Sequence, residues 1–80
     1  MMLYIRKTEN LKEELKKYGL VPKYDYDTGE ICKYIEHNMS GEFLTFINKG
    51  KTFYLDQDKE DLLDADLLYD LIKADLVEKD

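Results

Sequence analysis

One cysteine, one histidine and one proline are all that this sequence contains of those residues. A single cysteine excludes a disulfide framework, and one cysteine with one histidine cannot fill a Cys/His zinc site or a Cys-His-Asp triad. No apolar run approaches the roughly 20 residues of a membrane span. The N-terminus, Met1-Met2-Leu3-Tyr4-Ile5, lacks the positively charged lead and apolar core of a secretory signal. A free thiol without such a signal fits a reducing cytoplasm, which is the expected location. Glycine-rich phosphate loops, Gly-x-Ser-x-Gly elbows and His-Glu-x-x-His helices are also missing. The expectation is therefore a protein that is not an enzyme and holds no cofactor and no metal.

What is present suits one compact domain over residues 1–80. The chain is 44% hydrophobic and 38% charged, enough apolar residues for a core under a charged surface. That core must be thin, because a domain of this size buries only roughly 60% of its unfolded surface. A protein partner or a homo-oligomer is a natural source of the missing stability.

The net charge of −6 is unevenly spread. Residues 1–40 carry seven Lys/Arg against seven Asp/Glu, whereas residues 41–80 carry five against eleven. Such an acidic end repels phosphate, making direct nucleic-acid binding and adsorption to anionic membranes unfavourable, and attracts a basic protein surface.

The pattern of residues predicts an α+β fold: an N-terminal strand and helix, a four-stranded antiparallel β-meander made of two hairpins, and a C-terminal helical segment. Met2–Arg6 is β-prone. Asn10 and Glu13 have the spacing of a capping box, Leu11, Leu15 and Tyr18 share one helix face, and Gly19 can end that helix with Leu20 folding back on Leu15. The first hairpin pairs 24–26 with 31–35 around an Asp27-Thr28-Gly29 turn. This register puts Tyr24, Tyr26, Cys32 and Tyr34 on one face, with Ile31 and Ile35 on the reverse. The second pairs 43–47 with 52–55 around Asn48-Lys49-Gly50. Its register puts Phe43, Ile47, Phe53 and Leu55 on one face and Leu44, Phe46 and Tyr54 on the other, so helices on one side would leave apolar residues in water. Plotted at 100° per residue, one unbroken helix from Asp58 would bury Asp75. The chain therefore reads as a short helical turn at 58–63 and a helix at 65–74 with Leu67, Leu68, Leu71 and Ile72 inward. A turn at Ala74-Asp75 and an extended tail, Leu76-Val77-Glu78-Lys79, able to pair with the sheet or the N-terminal strand, follow.

Two kinds of surface are candidates for function. Tyr24, Tyr26, Tyr34 and Tyr54 fall in strands, and tyrosine brings large contact area at low entropic cost to protein-binding surfaces. Flanked by Lys23, Lys33, Lys49 and Lys51, the same rings could instead stack on single-stranded nucleic acid, which is the alternative reading. The second surface is a row of carboxylates, Asp58, Asp61, Asp64, Asp66 and Asp70, that could stand in for phosphates. Small acidic proteins of phages and mobile elements use such rows to occupy nucleic-acid sites of host proteins, and this chain is similar to them in size and charge. That likeness implies an accessory or inhibitor protein.

Other constellations carry less. Asp56 to Asp61 begins like a calcium loop but has Asp61 and Leu67 where an EF-hand needs Gly and Glu. Asp25, Asp27 and Glu30 suit ordinary turn chemistry. His37 lies in a polar loop, and Cys32 sits mid-strand. Leu67–Lys79 resembles the last helix and following strand of winged-helix domains. Asp75 stands where that family has Gly, and the upstream strands and lack of a basic recognition helix mean that DNA binding does not carry over.

Overall fold

The computed structural model describes residues 2–37, 41–56 and 63–80. In chain order the elements are β1 (Leu3–Arg6), α1 (Leu11–Lys16), β2 (Leu20–Tyr24), β3 (Ile31–Glu36), β4 (Thr45–Asn48), β5 (Thr52–Leu55), α2 (Ala65–Lys73) and β6 (Glu78–Lys79). The strands form one antiparallel sheet in the order β2-β3-β4-β5-β1-β6. The α+β class matches the sequence reading, but the sheet has six strands rather than four. β1 lies against β5 through Tyr4↔Tyr54 and Ile5↔Phe53, and β6 pairs with the other side of β1. Satisfying the open edge that a four-stranded meander would leave at β5 accounts for the additions.

Both helices cover one face. A single core cluster joins Leu11 and Leu15 of α1 and Leu71 of α2 to Ile5, Leu20, Tyr34, Phe46, Phe53 and Leu55 of the sheet. Asn10 stands at the start of α1 without a side-chain capping bond, so the expected capping box is not formed. Leu15 and Leu20 are fully buried on either side of Gly19, whose φ of +86° supplies the left-handed turn. β2 then carries Pro22 on an edge strand, where a missing N–H is tolerated.

The hairpins correct the sequence reading in register. In the second, Phe46 opposes Leu55, Ile47 opposes Tyr54 and Asn48 opposes Phe53, three residues away from the expected alignment. This slip brings Phe53 and Leu55 to the side of Leu44 and Phe46, because adjacent strand residues point to opposite faces. The cause is Asn48, whose side chain is a structural hub rather than a loop ornament. Its Oδ1 accepts from the Gly50 N–H (3.1 Å) and Lys7 Nζ (2.8 Å), and its Nδ2 donates to the Ile31 carbonyl (2.9 Å).

In the first hairpin the turn begins earlier, at Asp25. Its Oδ1 accepts from the N–H groups of Asp27 (2.8 Å) and Thr28 (3.1 Å), and the Gly29 N–H donates to its carbonyl (2.9 Å). A β-bulge follows: Lys23 opposes Lys33 while Tyr24 opposes Ile31, leaving Cys32 unpaired in the ladder. The bulge turns Ile31 towards the core, against which it packs, whereas Ile35 stays on the reverse face.

α2 starts at Asp64, whose Oδ1 accepts from the Leu67 N–H at 3.0 Å. Leu71 is fully buried and Leu67 and Leu68 pack against the core, but Ile72, expected inward, is 37% exposed. The inward stripe of α2 centres on Leu71, and Ile72 lies about 100° further round. Asp75 takes the left-handed conformation, φ 62°, at the turn into β6. The helical turn expected at 58–63 lies almost wholly outside the described residues; Leu63 itself bridges to Phe43. None of the described helices is long and apolar enough to cross a membrane.

Candidate functional site

The face of the sheet opposite the helices follows directly from strand alternation. Ile5, Tyr34, Phe46 and Phe53 point into the core, so Tyr4, Arg6, Lys33, Ile35, Thr45, Ile47, Thr52 and Tyr54 point the other way. None of the residues packed into the core cluster comes from this face, although Thr45 on it is buried.

Register places six of its residues in one continuous row across all six strands. Lys23 opposes Lys33, Lys33 opposes Ile47, Ile47 opposes Tyr54, Tyr54 opposes Tyr4, and Tyr4 opposes Glu78. The row therefore runs from two cations through an apolar and aromatic centre to a carboxylate. The centre is ordered by contact: the Tyr4 and Tyr54 rings lie 5.6 Å apart, tilted by 38°. At the acidic end Arg6 Nε pairs with Glu78 Oε2 at 2.7 Å. A hydrogen bond with the Tyr4 hydroxyl, and then the charge of Glu78, hold the Arg6 guanidinium above its ordinary value. At the cationic end neither Lys23 nor Lys33 has a carboxylate partner among the described residues. Val21 and Ile35 oppose each other in a second, apolar row beside the first.

The four tyrosines singled out from the sequence do not share this face. Tyr54 lies at its centre, but Tyr34 is buried in the core, its ring edge-on to Phe53 at 5.0 Å. Tyr24 is on the helix-covered side at the sheet's edge, with Lys12 Nζ 5.5 Å from its ring centre, and Tyr26 stands fully exposed at the hairpin tip. The bulge at Cys32 and the early turn at Asp25 separate them. Tyr4 takes the place sequence reasoning gave to the others. The alternation of Leu3-Tyr4-Ile5-Arg6 hinted at its direction, but its partner lies fifty residues away (54 minus 4) and no local pattern announces that pairing.

The acidic row is also divided. Asp64 is committed to capping α2, while Asp66 and Asp70 are exposed one turn apart on its outer side. Asp58 and Asp61 lie outside the described residues. Lys73 sits beside Asp70's turn with its Nζ 5.8 Å from the Tyr69 ring centre.

On the helix side, a cleft of about 460 Å³ opens between the start of α1 and the first hairpin. Phe53, Tyr34 and Ile31 form its floor and Lys7, Lys12 and Glu30 its rim. Lys7 is already engaged, donating to Asn48 Oδ1 and the Gly50 carbonyl with its Nζ 5.1 Å from the Phe53 ring centre. Cys32 donates its thiol proton to the Lys23 carbonyl at 3.3 Å, and His37 is exposed.

No protein-family model matches this chain, and neither does any curated protein or solved structure.

Proposed function

We propose that this protein is a binding module, acting on a protein partner through the open face of its sheet rather than by catalysis. The observation that carries this reading is the row Lys23–Lys33–Ile47–Tyr54–Tyr4–Glu78, an ordered strip of large side chains on a face that no described helix covers. Aromatic and aliphatic residues ringed by charge are the composition of protein docking surfaces. The partner surface that suits it combines apolar groups with carboxylates for the Lys23/Lys33 end and a cation for the Glu78 end.

The test is capture from the cytoplasmic fraction of the cells that make the protein. Immobilised wild-type protein retains a partner that the Tyr4→Glu/Tyr54→Glu variant loses and the Asp66→Lys/Asp70→Lys variant keeps. The reverse pattern would transfer the binding site to the acidic helix and would support competition with nucleic acid on a basic host protein.

One observation favours a second reading. Two adjacent rings on an open sheet, with lysines in line, can stack bases of a single strand. A carboxylate terminating the same row, together with the net charge of −6, opposes it. A gel shift with single-stranded DNA or RNA at low salt, lost in Tyr54→Ala and Lys33→Ala, would establish it.

A further inference from the structure

We infer that the partner of the open face is a second copy of this chain, packed face to face in a twofold dimer with its row reversed. This inference rests on the open face being the docking surface and adds who occupies it.

The argument is the polarity of the row. Lys23 and Lys33 stand directly opposite each other at one end, an arrangement of like charges that an isolated sheet does not favour. Glu78 stands at the other end, where its Oε2 is held by Arg6. Asp80, two residues on, alternates with Glu78 onto the same side, its N–H donating to the Met2 carbonyl at 2.7 Å. The cationic end thus counts two positive charges, and the acidic end one positive and two negative. A twofold axis lying between two copies and running along the strands reverses the row. Placed at the middle of the row, it sets Lys23 of one copy over Glu78 of the other, with Asp80 beside that contact, Lys33 over Tyr4, and Ile47 over Tyr54, each twice. An isologous interface requires such a self-complementary surface, and aligned sheet packing supplies the geometry. An extended anion such as a nucleic-acid strand would instead meet a carboxylate at one end of the strip.

The sheet's edges turn association towards the face. β2 carries Pro22 and Lys23, and β6 is only two charged residues long, so neither edge is a good template for an added strand. The covered face is filled by α1 and α2.

Sedimentation equilibrium up to roughly millimolar protein tests the inference, a range suited to an interface at the small end of the size scale. Wild-type protein dimerises. Lys23→Glu/Lys33→Glu and Glu78→Lys, all substitutions of side chains outside the core, keep the fold by circular dichroism but each weakens self-association by more than about tenfold, since every dimer contains the contact twice. An equimolar mixture of the two variants regains association, because the acidic ends of one now meet the cationic ends of the other. A wild-type protein that stays monomeric, or a mixture no tighter than its components, overturns the dimer. The capture experiment decides separately whether the open face binds a different protein, so failure of the dimer and failure of the binding module give different results.

Discussion

Tyr4 and Tyr54 oppose each other directly across β1 and β5, 5.6 Å between ring centres, on the side of the sheet away from both helices. On the other side of the same sheet Tyr34 meets Phe53 edge to face at 5.0 Å, fully enclosed. The two aromatic pairs differ in what surrounds them, so they should differ in energy. Tyr54→Ala is expected to cost about 1 kcal/mol or less, as a half-buried cross-strand pair does. Phe53→Ala is expected to cost about 3–5 kcal/mol, as a core deletion does. Urea unfolding of the two variants measures the contrast, and equal losses would contradict the assignment of faces.

A second contrast separates the aspartates of the acidic segment. Asp64→Ala removes the bond to the Leu67 N–H and should cost about 1 kcal/mol. Asp66→Ala and Asp70→Ala remove exposed charges and should stay within about 0.5 kcal/mol of the parent. Denaturant midpoints followed by helical circular dichroism give the comparison. The same difference advises leaving Asp64 intact in any charge reversal meant to test binding.

Thr45 is buried, and its Oγ1 has no hydrogen-bond partner among the described residues. A hydroxyl in that position gains nothing from folding and loses its water. Thr45→Val, which keeps the shape and suits a strand, should raise stability by about 1 kcal/mol. A lower thermal midpoint for the variant would mean that the hydroxyl is satisfied in solution.

Alkaline pH should weaken the fold through Tyr34. Burial, followed by the charge of Tyr24, raises its hydroxyl above the ordinary value of 10.0, while Lys12 pulls the other way. The neutral form is therefore favoured in the native state and the unfolded chain loses this proton first. Tyr34's contribution is complete below the unfolded value and declines as pH rises from there through the folded value. Tyr34→Phe should flatten this part of the curve between about pH 9 and 11 in chemical unfolding. An unchanged slope would assign alkaline loss to other groups.

Local chemistry was legible where it was short in range. The Leu11/Leu15 face, the Gly19 turn, the Leu67/Leu68/Leu71 stripe and the left-handed turn at Asp75 follow from periodicity and from which residues can end a helix. An extended final segment was also foreseeable once Asp75 broke the helix, although its partner was open between the meander and the first strand, and it is the first strand. Register was not. A single side chain, Asn48, decides the second hairpin by bonding to Gly50, Lys7 and Ile31, and two of those three contacts are distant in sequence. Asp25 and the Cys32 bulge decide the first. Each shift reassigns a whole face, which is why the open face was anticipated as a problem of the fold while most of its residues were misassigned. Tyr34 moved into the core and Tyr4 came forward.

The place of β1 between β5 and β6 has a consequence for how the molecule is made. Tyr4 leaves the ribosome well before its neighbours Tyr54 and Glu78, which are fifty and seventy-four positions behind it. The strands from β2 to β5 can zip together through adjacent hairpins as they emerge, whereas β1 must wait for the longest loop closures in the chain. The aromatic centre of the open face is therefore assembled only after β5 has been made. A nascent chain exposes the meander before it exposes a complete docking strip, and copies growing side by side on one message cannot engage through that strip until β1 has found its place.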